Sequence, residues 1–249
     1  MKFSNGFSLA MVISMLVVLS PPALSQTTLQ AGVGGGVLLP MGDYGGQTTD
    51  YYAGTRYGLS TGYTVHAKAR IGLPGFTLAG GVDYGHLSNS GEGESGRGTV
   101  DVTQSIFTIK IGPEISIPIP LSPVTPYVGV NVAWNSISGT TSFQGLTKVP
   151  SGSFDVETVS RVGVGINAGV VFKIGAALNL DLGAEYAFVN AGGKAWNVVD
   201  AKNDARINSY KSLNDDKDPL YIAGNDNHFV SGSRSISTFQ VTATIMFGL

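Results

Sequence analysis

Residues 239–249 read Phe-Gln-Val-Thr-Ala-Thr-Ile-Met-Phe-Gly-Leu. Successive side chains of a β-strand point to opposite faces. Phe239, Val241, Ala243, Ile245, Phe247 and Leu249 therefore share one face, and Gln240, Thr242, Thr244, Met246 and Gly248 the other. One side is apolar and the other largely polar. No helical period divides these residues so cleanly.

The same alternation recurs upstream. Apolar residues fall on one parity along 178–188, 162–172, 128–134, 107–117, 76–84 and 59–71, and less cleanly along the glycine-rich stretch 29–39. With the C-terminal segment this makes eight strands. The connectors are residues 40–56, 72–75, 88–101, 118–125, 136–157, 174–177 and 190–234, and long and short ones alternate. In an up-and-down meander every second connector lies at the same end. One end therefore carries tight turns and the other large polar loops, the asymmetry of bacterial outer-membrane barrels. The longest connector leaves room for a further hairpin, so ten strands stay open.

The polar face carries Lys68, Arg70, Asp83, Lys110, Glu114, Arg161, Lys173, Asp181 and Glu185, five positive and four negative groups. Near-cancelling charges suit a closed interior in which ions pair. Glycines on the same face (Gly163, Gly165, Gly169, Gly183) make room for long side chains in a narrow eight-stranded lumen. The opposite face is almost free of charge, and Phe239, Val241, Ile245 and Phe247 are expected to meet lipid. The expected fold is all-β: an eight-stranded antiparallel up-and-down transmembrane β-barrel. A soluble exported β-barrel that binds a ligand with its loops is the competing reading.

The N-terminus fits export. Lys2 precedes a short apolar run from Phe7 to Leu19, Pro21-Pro22 break it, and Ala23-Leu24-Ser25 place small residues before Gln26. That is the pattern of a cleaved signal peptide. The expected division is 1–25 leader and 26–249 barrel, with an uncleaved anchor helix as the alternative. Losing Lys2 leaves 14 of 15 basic residues against 17 acidic ones, a net charge of −3. Nothing there points to nucleic acid. The absence of cysteine excludes a disulfide scaffold, a cysteine-zinc site and a thiolate nucleophile. Glycine, 35 of 249 residues, is about twice its usual share.

Signal peptide, alternating strands, outsized loops and the terminal strand together resemble small outer-membrane β-barrel proteins of the outer membrane protein A transmembrane-domain and outer membrane protein X type. The resemblance covers residues 27–249. It implies bacterial outer-membrane placement, outer-membrane lipid and lipopolysaccharide as surroundings, and insertion by the barrel-assembly machinery. Two departures stand out. The chain ends in Leu249 where the family usually has an aromatic residue, and no peptidoglycan-binding domain is expected after the barrel.

Three strings suggest chemistry. Gly32-Val33-Gly34-Gly35-Gly36 looks like a phosphate loop, but no helical pattern or Lys-Ser/Thr follows, and glycines in a crowded wall explain it. Asn214-Asp215-Asp216-Lys217-Asp218 has carboxylates at a calcium-like spacing without the turn glycine or distal glutamate, so a solvated acidic patch is expected. His86-Leu87-Ser88-Asn89 resembles the His-x-Ser-Asn motif of outer-membrane lipid A deacylases. That resemblance implies His86 as base, Ser88 as nucleophile and Asn89 as oxyanion donor, with Glu92 or Glu94 orienting the histidine. The motif lies on the third strand, away from the C-terminus where that family carries it. Tyr57, Tyr84, Trp134, Tyr186 and Phe188 lie near the long-loop ends of their strands and fit an interfacial girdle. Trp196 and Tyr210 are loop aromatics on which a sugar could stack.

The expectation is a non-enzymatic outer-membrane barrel with a lumen plugged by ion pairs, no cofactor and no metal, giving envelope structure and surface contact. A lipid ester hydrolase, a small pore and a soluble binding barrel are the alternatives.

Overall fold

The computed structural model describes residues 29–200 and 206–248. The leader with its Ser25/Gln26 junction, and Leu249, lie outside the described residues. The eight strands are β1 (Leu29–Met41), β2 (Gly62–Leu73), β3 (Phe76–Glu94), β4 (Arg97–Ser116), β5 (Val124–Gln144), β6 (Gly152–Lys173), β7 (Leu178–Gly192) and β8 (Ser237–Gly248). Each pairs antiparallel with the next, and β8 closes on β1 from Gln30↔Gly248 to Met41↔Ser237. The ring leaves no open edge within the wall, which a lipid-exposed sheet requires. No ninth or tenth strand is found among the described residues of 193–236.

Two connectors expected as loops are largely strand. β3 and β4 run on to a two-residue turn, Ser95-Gly96, with Gly96 at φ +70°. β5 and β6 continue to residues 144 and 152. The reason is a change of solvent along each strand. In the lower wall the outward residues are apolar: Ile111, Ile109 and Phe107 on β4, Val130, Val132 and Trp134 on β5, all exposed. The inward residues there are polar. Above Phe107 and Trp134 the assignment inverts. Outward positions become Ser105, Thr103, Ser136, Ser138 and Thr140, while the inward ones become Ile106, Val102, Val100, Ile137 and Phe143, all buried. The parity of the backbone never changes; only the apolar residues switch sides. The lower wall therefore stands in hydrocarbon, and the upper wall is an ordinary sheet packed on an apolar core.

β1, β2, β7 and β8 stop near the rim, so the upper wall is a half-cup built from β3 to β6. From His86 to Glu94, β3 rises roughly 26 Å along its axis at ~3.3 Å per residue. The connector 42–61 and the described residues of 193–236 fill the cup. The first carries a short helix, α1 (Thr48–Tyr52), begun by a capping box in which Asp50 accepts from the Gln47 N–H at 3.1 Å. Its Tyr51 and Tyr52 pack against Tyr210, with ring centroids 5.2 and 6.5 Å away.

A bulge in β6 anchors the long connector. The β5–β6 register shifts between Ile137↔Val159 and Gly139↔Val156, leaving Glu157 and Thr158 both exposed. The Glu157 N–H then donates to the Lys211 carbonyl at 2.7 Å. The stretch Gly32 to Gly36 is plain strand within β1.

Candidate functional site

The lumen is crossed by two layers of ion pairs. In the layer nearer the tight turns, Lys68 Nζ lies 2.8 Å from Glu114 and 3.2 Å from Asp181, and Arg70 lies 2.6 Å from Glu114 and 3.1 Å from Asp181. Tyr127 donates to Asp181 at 2.8 Å, and both cations lie over its ring, at 4.7 and 4.3 Å. Asn167 donates to Glu114 at 2.8 Å. Two cations face two carboxylates, so the layer is neutral. Below it Met246 is fully buried.

In the second layer Lys110 Nζ lies 2.5 Å from both Asp83 and Glu185. Asn131 and Gln240 donate to Glu185 at 3.0 and 2.9 Å. One cation thus holds two carboxylates apart, and the amide donors carry the rest. The glycines make this geometry fit. A Cβ on Gly165 would sit 2.8 Å from both Asn131 and Glu185, and one on Gly169 would sit 2.5 Å from the Tyr127 hydroxyl. Interior cavities of about 50 and 40 Å³ flank the second layer, space for a few waters each.

Of the nine groups expected to pair in the lumen, seven do so. Arg161 and Lys173 do not. Lys173 stands exposed at the tight-turn rim, outside both layers. Arg161 lies at the mouth and pairs upward with the long connector: Nε and Nη2 donate to the Asp215 carboxylate at 2.8 and 2.6 Å. Parity places Arg161 correctly on the inner face, but a strand pattern carries no signal for a partner in a distant loop.

Asp215 corrects a second expectation. It is no solvated acid but wholly buried. Besides Arg161 it accepts from Asn190 Nδ2 at 2.8 Å and from the Ala195 N–H at 3.0 Å. Burial opposes its charge, yet these donors, Arg161 first, hold its carboxyl below the ordinary range. Its backbone carbonyl receives the Arg234 N–H at 2.9 Å, and the Arg234 guanidinium lies 4.3 Å over the Tyr57 ring. Asp218 is buried too, 2.9 Å from His228 Nδ1.

Above this clamp sits an aromatic core. The Tyr210 ring lies 4.9 Å from Phe143 and 5.6 Å from Phe229. Arg206 stacks on Phe229 at 3.6 Å and on Tyr52 at 4.6 Å, and donates to the Tyr52 carbonyl. Burial pushes the Tyr44, Tyr57 and Tyr210 phenols well above their ordinary range, so they are neutral. Tyr57 and Tyr210 are therefore core residues, neither girdle nor sugar platform. Tyr84, Trp134 and Phe188 do form an exposed ring at the long-loop rim, joined by Tyr63, whose parity with Val65 already marked it.

The deacylase-like string does not assemble. His86 and Ser88 share the outer face, but the His86 ring lies tilted against Tyr63, 5.4 Å away, and Nδ1 lies 3.2 Å from Ser105 Oγ on the neighbouring strand. Asn89 points the opposite way and donates to the Gly58 carbonyl at 2.7 Å. Glu92 accepts from the Gly96 N–H, and Glu94 from Thr147. The side chains of Phe239, Val241, Ile245 and Phe247 line the outer wall of β8, the last three exposed and Phe239 half-buried. No cluster of histidine and acidic groups fit to hold a metal ion is found among the described residues.

No curated protein matches the chain by sequence. Among solved structures, Neisserial surface protein A aligns at 15% identity and a TM-score of 0.47, over 90% of this chain and 97% of the other. A major outer membrane protein from Thermus thermophilus aligns at 13% and 0.46, over 90% and 100%. Ail, the attachment invasion locus protein of Yersinia pestis, aligns at 12% and 0.42, over 90% and 100%. The model of the outer membrane protein beta-barrel domain matches residues 11–212. The chain is an eight-stranded barrel of the bacterial outer membrane and belongs to the outer membrane protein beta-barrel domain family.

Proposed function

We infer that this protein is a non-enzymatic, closed barrel that displays a folded cap on the cell surface, its long-loop end outward. The observation that carries this is the stacking, along one axis, of two ion-paired layers and an aromatic core. An ion entering the lumen meets Arg161–Asp215, then Lys110 between two carboxylates, then the Lys68/Arg70 layer. Opening any of these leaves a buried charge unpaired, which costs several kcal/mol. Conduction is thereby disfavoured, and the strand-built cup with its filled mouth serves as a rigid platform for surface contact. The lipid-hydrolase alternative lacks its central contact, a base on the nucleophile.

Planar-bilayer recording tests the reading. Purified protein is expected to give no steady conductance above background. A large, persistent channel current at neutral pH overturns the closed lumen. Protease cleavage within residues 193–236 on intact cells reads the orientation.

A further inference from the structure

The outer face of the half-cup is covered with hydroxyls. Directly above the girdle, β3, β4 and β5 point Ser88, Thr103, Ser105, Ser136, Ser138 and Thr140 outward, none of them fully buried. The registers His86↔Ser105↔Ser138 and Ser88↔Thr103↔Thr140 set them in rows across the sheet. Neighbouring hydroxyls lie ~4.8 Å apart across strands and ~6.6 Å apart along them. At the base of this field Ser105 Oγ already bonds the Tyr84 hydroxyl at 3.0 Å and His86 Nδ1 at 3.2 Å. No lysine or arginine stands among these rows, and carboxylates border them at Asp101 on the upper margin and at Asp155 and the bulged Glu157 on the far edge. The cap beside it is charged, with Lys194, Lys211, Lys217, Asp216 and Asp226 in its connector.

We propose that this hydroxyl field is a saccharide-binding face, whose occupant is the sugar portion of the outer-leaflet glycolipid surrounding the barrel. Continuity with the lipid-covered wall identifies the occupant. The same outward face of the same strands is apolar up to Phe107 and Trp134 and hydroxyl-bearing immediately above, so acyl chains on the lower part set their own headgroups against the upper part. Each hydroxyl both donates and accepts, matching the hydroxyls of a sugar ring without asking for charge. A face meant for lipid phosphate would carry arginine or lysine, and this one carries neither. The proposal rests on the outward orientation of the long-loop end, which the protease experiment on intact cells reads separately.

The test compares the full-length folded protein in three bilayers: phospholipid alone, phospholipid with sugar-poor lipid A, and phospholipid with lipopolysaccharide bearing its core oligosaccharide. Unfolding at a fixed high temperature is followed by loss of the compact band on unheated gels. The core-bearing lipid is expected to slow unfolding roughly tenfold relative to lipid A, the effect of a few net hydrogen bonds. In a chain carrying Thr103→Val, Ser138→Ala and Thr140→Val that extra protection should largely vanish while the lipid A effect remains. Each ratio is internal to one chain, so a variant less stable in phospholipid still gives a reading. Equal rates in lipid A and core-bearing lipid for the natural sequence, or full protection retained by the triple variant, overturn the proposal.

Discussion

Replacing Asp215 by asparagine tests how the cap is held. The carboxylate accepts two bonds from Arg161 and one each from Asn190 and the Ala195 N–H, and it is wholly buried. The amide would keep the shape but leave the Arg161 guanidinium, about 5% exposed, without a counter-ion. Removing one partner of a buried pair costs about 3–5 kcal/mol. The loss falls on docking of residues 193–236, because the barrel below keeps its own layers. At the lower figure of about 3 kcal/mol the undocked population rises on the order of 100-fold, at 1.4 kcal/mol per decade. Where opening is fast relative to cleavage, proteolysis follows that population. Limited proteolysis of the folded, detergent-solubilised protein should therefore cut Asp215→Asn within this connector about 100-fold faster, and leave the strands intact. Acid should mimic the substitution. The Asp215 carboxyl titrates below its ordinary 3.8 when docked, so its contribution is complete above that pH and fades as pH falls through the docked value. Arg161→Met combined with Asp215→Leu should recover most of the docking, since an apolar pair leaves no charge stranded. Cleavage of Asp215→Asn within threefold of the natural chain would refute the clamp.

Two further outcomes follow from the layers and the solvent boundary. Lys110→Met strands Asp83 and Glu185 against each other in the lumen and should cost about 3–5 kcal/mol, read as a lower unfolding temperature of the compact band on gels; an unchanged temperature would mean the layer is not closed. Arginine at Val130, mid-way down the lipid-covered wall, should cost about 2–4 kcal/mol in a bilayer, whereas arginine at Ser142 on the upper wall should stay within about 0.5 kcal/mol. Equal costs at the two sites would place the boundary above Phe107 and Trp134 in error.

Strand identity and the facing of the lower wall were legible because period-two alternation is local, and the meander was legible from the alternation of long and short connectors. Seven lumen charges could be named for the same reason: parity puts Lys68, Arg70, Asp83, Lys110, Glu114, Asp181 and Glu185 on one face, and a narrow barrel must pair them. The upper halves of β3 to β6 read as loops, although their alternation is just as regular. The expectation takes apolar as outward throughout, and along Val100-Asp101-Val102 or Ser136-Ile137-Ser138 the apolar side faces in.

By itself, then, the order of residues determined which side chains share a face, since that depends on neighbours two apart, while the alternation of long and short connectors pointed to an up-and-down barrel. What stands on the far side of each face is a long-range matter. Only the folded chain showed that residues 206–236 return to fill the mouth, that Asp215 finds Arg161 some 54 positions away, and that His86 meets Ser105 across a strand boundary and not Ser88 beside it. Such contacts are set by which solvent lies outside the wall and by how distant segments pack within it, and no local period encodes either.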